Sequence, residues 1–219
     1  MASRSTIRTW LLDFLGTTSD DPLFSATRLN PILQQAVDSL LGEITSANPS
    51  YLTKTQVLAA DSVTSHTYSF ATQSPAIPDF SRWIEVRFDN ADGVKLLHAR
   101  LEELTFAGDG YFDVVGPDET AQLITSPDTD AGTALWMRWA YWPTAMADDN
   151  AVPTGIPSRF HDVVALEALF AFGLGAEQRR PPELLARWVD RKAQLIAQVS
   201  RRGVATAFTR LDPTKPLPV

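Results

Sequence analysis

Cysteine is absent from the 219 residues, which excludes disulfides, thiolate chemistry and the common zinc ribbons and fingers. Histidine is scarce. His66, His98 and His161 are not followed by a second histidine at helical spacing, so each reads as structural rather than as a metal ligand. No run approaches the roughly 20 apolar residues of a membrane-spanning helix, and Arg8 and Asp13 interrupt the opening stretch MASRSTIRTWLLDFLG. Neither a transmembrane helix nor a signal peptide is therefore expected, and synthesis in the cytoplasm is. A G-x-S-x-G elbow, a Walker loop and a dinucleotide glycine fingerprint are missing too. These absences assign no catalytic, cofactor-binding or metal-binding residue, and an enzyme is not expected.

What is present is apolar and aromatic: 44% of residues are hydrophobic, with six tryptophans and eleven phenylalanines, enough for a packed core in one good-sized domain or two small ones. The net charge of -7 is unevenly placed. Asp89 to Asp149 holds twelve acidic and three basic residues, a balance of −9, whereas Pro181 to Val219 holds seven basic and three acidic, a balance of +4. Solvated loops account for an acidic stretch of this kind, and it argues against wrapping nucleic acid tightly.

The stretch Ile156 to Gly175 predicts a central helix. Pro157 suits a first turn, Ser158 and Asp162 suit the N-terminal end, and Gly173 and Gly175 supply a stop. From Val163 to Phe172 almost no polar face remains, so the helix needs cover from its own domain or from a neighbouring subunit. A second helix is predicted from about Glu183 to Arg202, as an antiparallel neighbour across a short connector. Near the N-terminus, Thr6 to Leu15 and Ser25 to Ala47 place apolar residues at three and four, with Asn30-Pro31 in the opening turn of the longer helix. These N- and C-terminal segments, residues 1–53 and 144–202, predict one helical module.

Residues 54–143 change period. Strands are predicted at Thr55 to Leu58, Thr67 to Ala71, Trp83 to Phe88, Leu97 to Ala99, Tyr111 to Val115, Ala121 to Ile124 and Ala134 to Trp142, punctuated by Asp92-Gly93, Asp109-Gly110 and Gly116-Pro117-Asp118. Leu101 to Phe106 is open between strand and helical turn. The fold class is therefore α+β, an antiparallel helical module carrying an inserted antiparallel β-sheet region. Residues 203–219 are read as an extended C-terminal tail, because three prolines crowd its last seven residues.

Two chemical alternatives come from single features. On the strand ending at Trp142, the rings of Trp136, Trp139, Tyr141 and Trp142 suggest a ligand- or carbohydrate-binding module, against ordinary core packing. Glu167 is the one carboxylate amid the apolar face of the central helix. It reads either as an acid with a raised pKa or as the partner of Arg187 or Arg191 on the next helix.

The order of parts, together with Ala140-Tyr141-Trp142-Pro143 and Ile156-Pro157-Ser158-Arg159-Phe160-His161-Asp162 leading into Ala165 to Ala171, resembles the head-to-tail connector (adaptor) proteins of tailed bacteriophages. The resemblance implies a structural virion protein in the neck, a homo-oligomeric ring, dodecameric in expectation, docked beneath the portal and leaving a channel for DNA without sequence-specific binding. It further implies contacts with tail or further neck proteins and none with a membrane. On that footing Phe160, Phe170, Phe172 and Trp188 are the candidates for subunit packing. Phe208, Arg210, Leu211, Lys215 and Leu217 of the tail are the candidates for portal attachment.

Overall fold

A computed structural model describes residues 1–19, 21–117, 120–171 and 181–208. The chain is α+β and divides into two compact units, Met1–Tyr51 with Thr144–Val219, and Leu52–Pro143.

In the first unit, α1 (Arg4–Leu15) starts on the Ser3 hydroxyl, which accepts the Thr6 amide. It ends at Gly16, whose left-handed conformation (φ 67°) lets the amides of Gly16 and Thr17 reach back to Asp13 and Leu12. Helix α2 (Ala26–Ala47) buries Leu29, Leu33, Ala36, Val37, Leu40, Leu41 and Ile44, the face that its three-and-four spacing predicts. Pro31 lies deeper than the opening turn and inside this helix. Lacking an amide hydrogen, it leaves the Thr27 carbonyl without its helical donor.

The central segment opens with a 3-10 turn at Ser158–Phe160 and continues as α4 (His161–Phe170), numbered after a short helix of the other unit. Every residue from Val163 to Phe170 is buried. The cover comes from the chain itself, since α1, α2 and α5 (Pro182–Phe208) all pack on α4. Gly173 and Gly175, read as its stop, lie outside the described residues.

Helix α5 corrects the expected tail. An extended segment was expected from Gly203, yet the backbone stays helical to Phe208. Glycine disfavours a helix by about 1 kcal/mol relative to alanine, too little to stop one already propagating through Val204-Ala205-Thr206-Ala207. Residues 209–219 lie outside the described ones.

The second unit holds two sheets. The first runs β1 (Thr53–Leu58), β7 (Leu135–Tyr141), β3 (Phe80–Phe88), all antiparallel. The second runs β2 (Thr67–Ser69), β6 (Gln122–Thr125), β5 (Tyr111–Val115), β4 (Leu97–His98). Here the expectation of an all-antiparallel region fails, because β4 pairs with β5 in parallel. A parallel pair needs a crossover, and the ambiguous stretch after β4 supplies it as α3 (Leu101–Leu104). Side chains from both sheets, among them Tyr68, Phe80, Phe112, Leu123 and Met137, form one buried core with Phe70 of the 3-10 turn after β2. Between β3 and β4 the chain closes so tightly at Gly93 that a Cβ there would lie 1.7 Å from the Phe88 carbonyl oxygen.

Candidate functional site

The aromatic strand is the first candidate to be placed. Its alternation sends Leu135, Met137 and Trp139 into the core, while Trp136 and Arg138 on the opposite face are half-buried. Tyr141 lies under the Lys54 ammonium, 4.4 Å from the ring centre, and Trp142 beyond the strand is 41% exposed. The four rings are thus divided between two faces and do not make one stacking platform.

Glu167 sits on α4 at 1% exposure and is saturated with donors. It accepts hydrogen bonds from the Ser39 hydroxyl (2.9 Å), the Trp188 indole N–H (2.9 Å) and the Lys192 ammonium (3.0 Å). The Lys192 ammonium also meets Glu43 at 2.7 Å. Burial works against its charge, but Glu43 and Glu167 outweigh burial and raise its pKa. A carboxylate held on both oxygens in this way is a structural tie. The expected arginine partner is corrected to a lysine by helix geometry: Trp188 and Lys192, four residues apart, share a stripe of α5 that faces Glu167.

Arg187 and Arg191 form the adjoining stripe and converge instead on Asp162, at 3.1 Å and 2.7 Å. Burial of Asp162 disfavours its ionised form, yet the hydrogen bonds and charges of Arg191 and Arg187 hold the pKa below the ordinary carboxylate value. Asp162, read from sequence as a capping residue, therefore joins two helices. Its neighbour His161 is buried, its Nδ1 3.1 Å from the Ala2 amide and its Nε2 3.1 Å from the Ile156 carbonyl. Burial depresses its pKa, so the neutral ring accepts from Ala2 and donates to Ile156.

Around these ties lies a surface that sequence reasoning did not single out. The ring of Phe160 has the guanidinium groups of Arg159 and Arg191 each 4.8 Å from its centre. Arg191 also donates to the Arg159 carbonyl. From this stack a groove of about 590 Å³ runs along α5, lined by Arg159, Phe160, Arg191, Gln194, Gln198 and Arg201 beside Ala197. A second hollow of about 400 Å³ on the other side of Arg159 and Arg191 is lined by Trp10, Phe14, Ser158 and Arg187 around Asp162. Arg191 is neutralised by Asp162. Arg159 and Arg201 are exposed and form no ion pair among the described residues. Within the groove the Gln198 side-chain oxygen is buried without a donor among the described residues.

The residues picked for subunit packing are drawn together here, but inward. Phe160 is 2% and Phe170 9% exposed, and Phe170 stacks on Trp188 with centroids 5.3 Å apart. Rings enclosed this far by their own chain have little surface left for a second subunit. Phe172 lies outside the described residues, as do Arg210, Leu211, Lys215 and Leu217. For Phe208 the backbone alone is described. The signal for the site was the pair of i, i+4 repeats Arg187/Arg191 and Trp188/Lys192, together with Arg159 preceding Phe160.

Among the described residues no group of three potential metal ligands occurs, and no helix is long and apolar enough to cross a membrane. No protein-family model matches the chain, and no curated protein matches it.

Proposed function

We propose that this chain is a structural virion protein, a head-to-tail connector that forms a ring beneath the portal and joins capsid to tail around a channel for DNA. One observation carries the reading. Between Pro182 and Arg201 of α5, only Leu195 and Val199 are buried, while Leu185 (46%) and Val189 (57%) are exposed at positions that do not line the arginine-lined groove. A long helix that keeps apolar and cationic surface out of its own core is suited to contact with other chains. The Ile156–Asp162 segment supports the same reading, because Phe160, His161 and Asp162 are all used to lock the helical unit and none is left for chemistry.

Under this proposal the subunits assemble through helical surface rather than through Phe160 and Phe170. The chain beyond Phe208 reaches the portal, and the acidic β unit faces passing DNA without gripping it. Light scattering and electron imaging of the full chain, alone and mixed with portal, test the proposal. A ring is expected. A chain that remains monomeric in both conditions overturns it.

A further inference from the structure

We propose that copies of this chain associate head to tail, an acidic lobe on the β unit of one copy seating in the arginine-lined groove of the next. The inference deepens the ring reading and rests on it, by naming the two surfaces that meet.

The lobe consists of two turns tied to one another. Thr129 accepts the Gly110 amide at 3.2 Å, the Ser126 hydroxyl donates to the Gly108 carbonyl, and the Ser126 amide donates to the Tyr111 carbonyl at 3.0 Å. One turn carries Phe106 and Asp109, the other Asp128 and Asp130. All three carboxylates are exposed and lack an ion-pair partner among the described residues. Phe106 is 89% exposed, and it follows α3 directly. An exposed phenylalanine on tied turns that carry exposed carboxylates has the composition of a docking knob: an apolar anchor with a charged rim.

The groove is its complement. Among the described residues Arg159 and Arg201 stand without carboxylates, Ala197 offers exposed apolar surface, and no acidic side chain lines the groove. Gln198 brings a buried oxygen without a donor among the described residues, which backbone amides of an entering turn can satisfy. Some carboxylates elsewhere are already neutralised: Asp149 by Arg4 and Arg8, Glu85 by Arg87 and Arg138, Asp79 by Lys54. Asp109, Asp128 and Asp130 share with other exposed carboxylates the lack of an ion pair among the described residues, but these three lie on two turns tied to one another. Because lobe and groove are different surfaces of the same chain, the contact is heterologous, and repeated copies give a ring when the rotation closes.

Two variants test it on the full chain, both confined to exposed side chains. The groove variant combines Arg159→Glu and Arg201→Glu. The lobe variant combines Phe106→Ser, Asp109→Asn, Asp128→Asn and Asp130→Asn. Sedimentation velocity should show the wild type self-associating, less so as salt rises, and each variant weakened about a hundredfold or more. Mixed in equal amounts, the two variants retain one good groove and one good lobe between them. A 1:1 dimer that grows no further is the expected product.

Wild-type oligomers that survive both sets of substitutions overturn the inference while leaving a ring assembled through other surfaces. Failure of the two monomeric variants to pair overturns it as well. A wild type that stays monomeric overturns it too, and the connector reading then stands only if rings form with portal. If portal binding alone is lost with Arg159→Glu and Arg201→Glu, the occupant of the groove is the portal and not a second copy.

Discussion

The two units are stabilised by different means. The β unit is one continuous stretch, Leu52–Pro143, closed by backbone ladders over a core in which Tyr68, Phe70, Phe80, Phe112 and Trp139 predominate. Its buried Glu85 is paired within the first sheet, with Arg87 two residues along β3 and with Arg138 on the adjoining β7. The helical unit is assembled from segments far apart in sequence, and it ties them with polar groups deep in an aliphatic core. Ser39 and Lys192 meet on Glu167, Asn48 donates to the Val199 carbonyl, Arg191 holds Asp162, and Ala2 rests on His161. Sheets satisfy backbone groups between neighbouring strands. A helix satisfies them internally, so packing and side-chain ties must specify which helix sits where. That difference makes the helical unit the more vulnerable to single charge changes.

The largest effect should come from Phe170→Asp, which places a carboxylate against Trp188 on the most buried helix. A loss of about 3–5 kcal/mol is expected, enough to unfold the helical unit. Thermal melts and hydrogen exchange check it, and retained exchange protection in the β strands would show that the units hold independently. Glu167→Gln is the next test of the comparison. Lys192 keeps Glu43 but loses its buried partner, and destabilisation of about 2 kcal/mol is expected by chemical denaturation.

Tyr68→Phe probes the other unit. Its hydroxyl donates to the Thr133 carbonyl at 2.6 Å, and burial raises its pKa to about 12, so it remains a donor across ordinary pH. Loss of about 1 kcal/mol is expected, with exchange accelerated in the β strands and unchanged in α2 and α4.

The smallest effect concerns Asp149, whose pKa is held down to about 2, first by the Arg8 hydrogen bond, against desolvation, and further by Arg4. Its folded pKa lies below the unfolded value of 3.8. The stabilisation is therefore fully present above that value and is lost as pH falls towards 2. Arg8→Ala should move the Asp149 carboxyl, followed by carbon NMR, back towards 3.8. A titration near 2 that persists in that variant would remove Arg8 as the cause.

Local pattern alone determined the element list. Period and punctuation marked α1, α2 and the seven strands, because hydrophobic spacing and turn residues act through the chain's own geometry, and the all-apolar run after Asp162 announced a helix needing cover. The length of α5 was misjudged for the same reason, since Gly203 is a weak local signal and propagation from the preceding turns outweighs it. Partnership was decided by tertiary structure. Glu167 takes Lys192 rather than an arginine, Asp162 in the first turn of α4 also ties that helix to α5, and β4 lies parallel to β5, because each depends on which stripes and edges meet across more than ten residues of chain. The groove between Arg159 and Arg201 is of this kind: those residues are 42 positions apart in sequence, and only the packing of α5 beside the Ser158–Phe160 turn makes them neighbours.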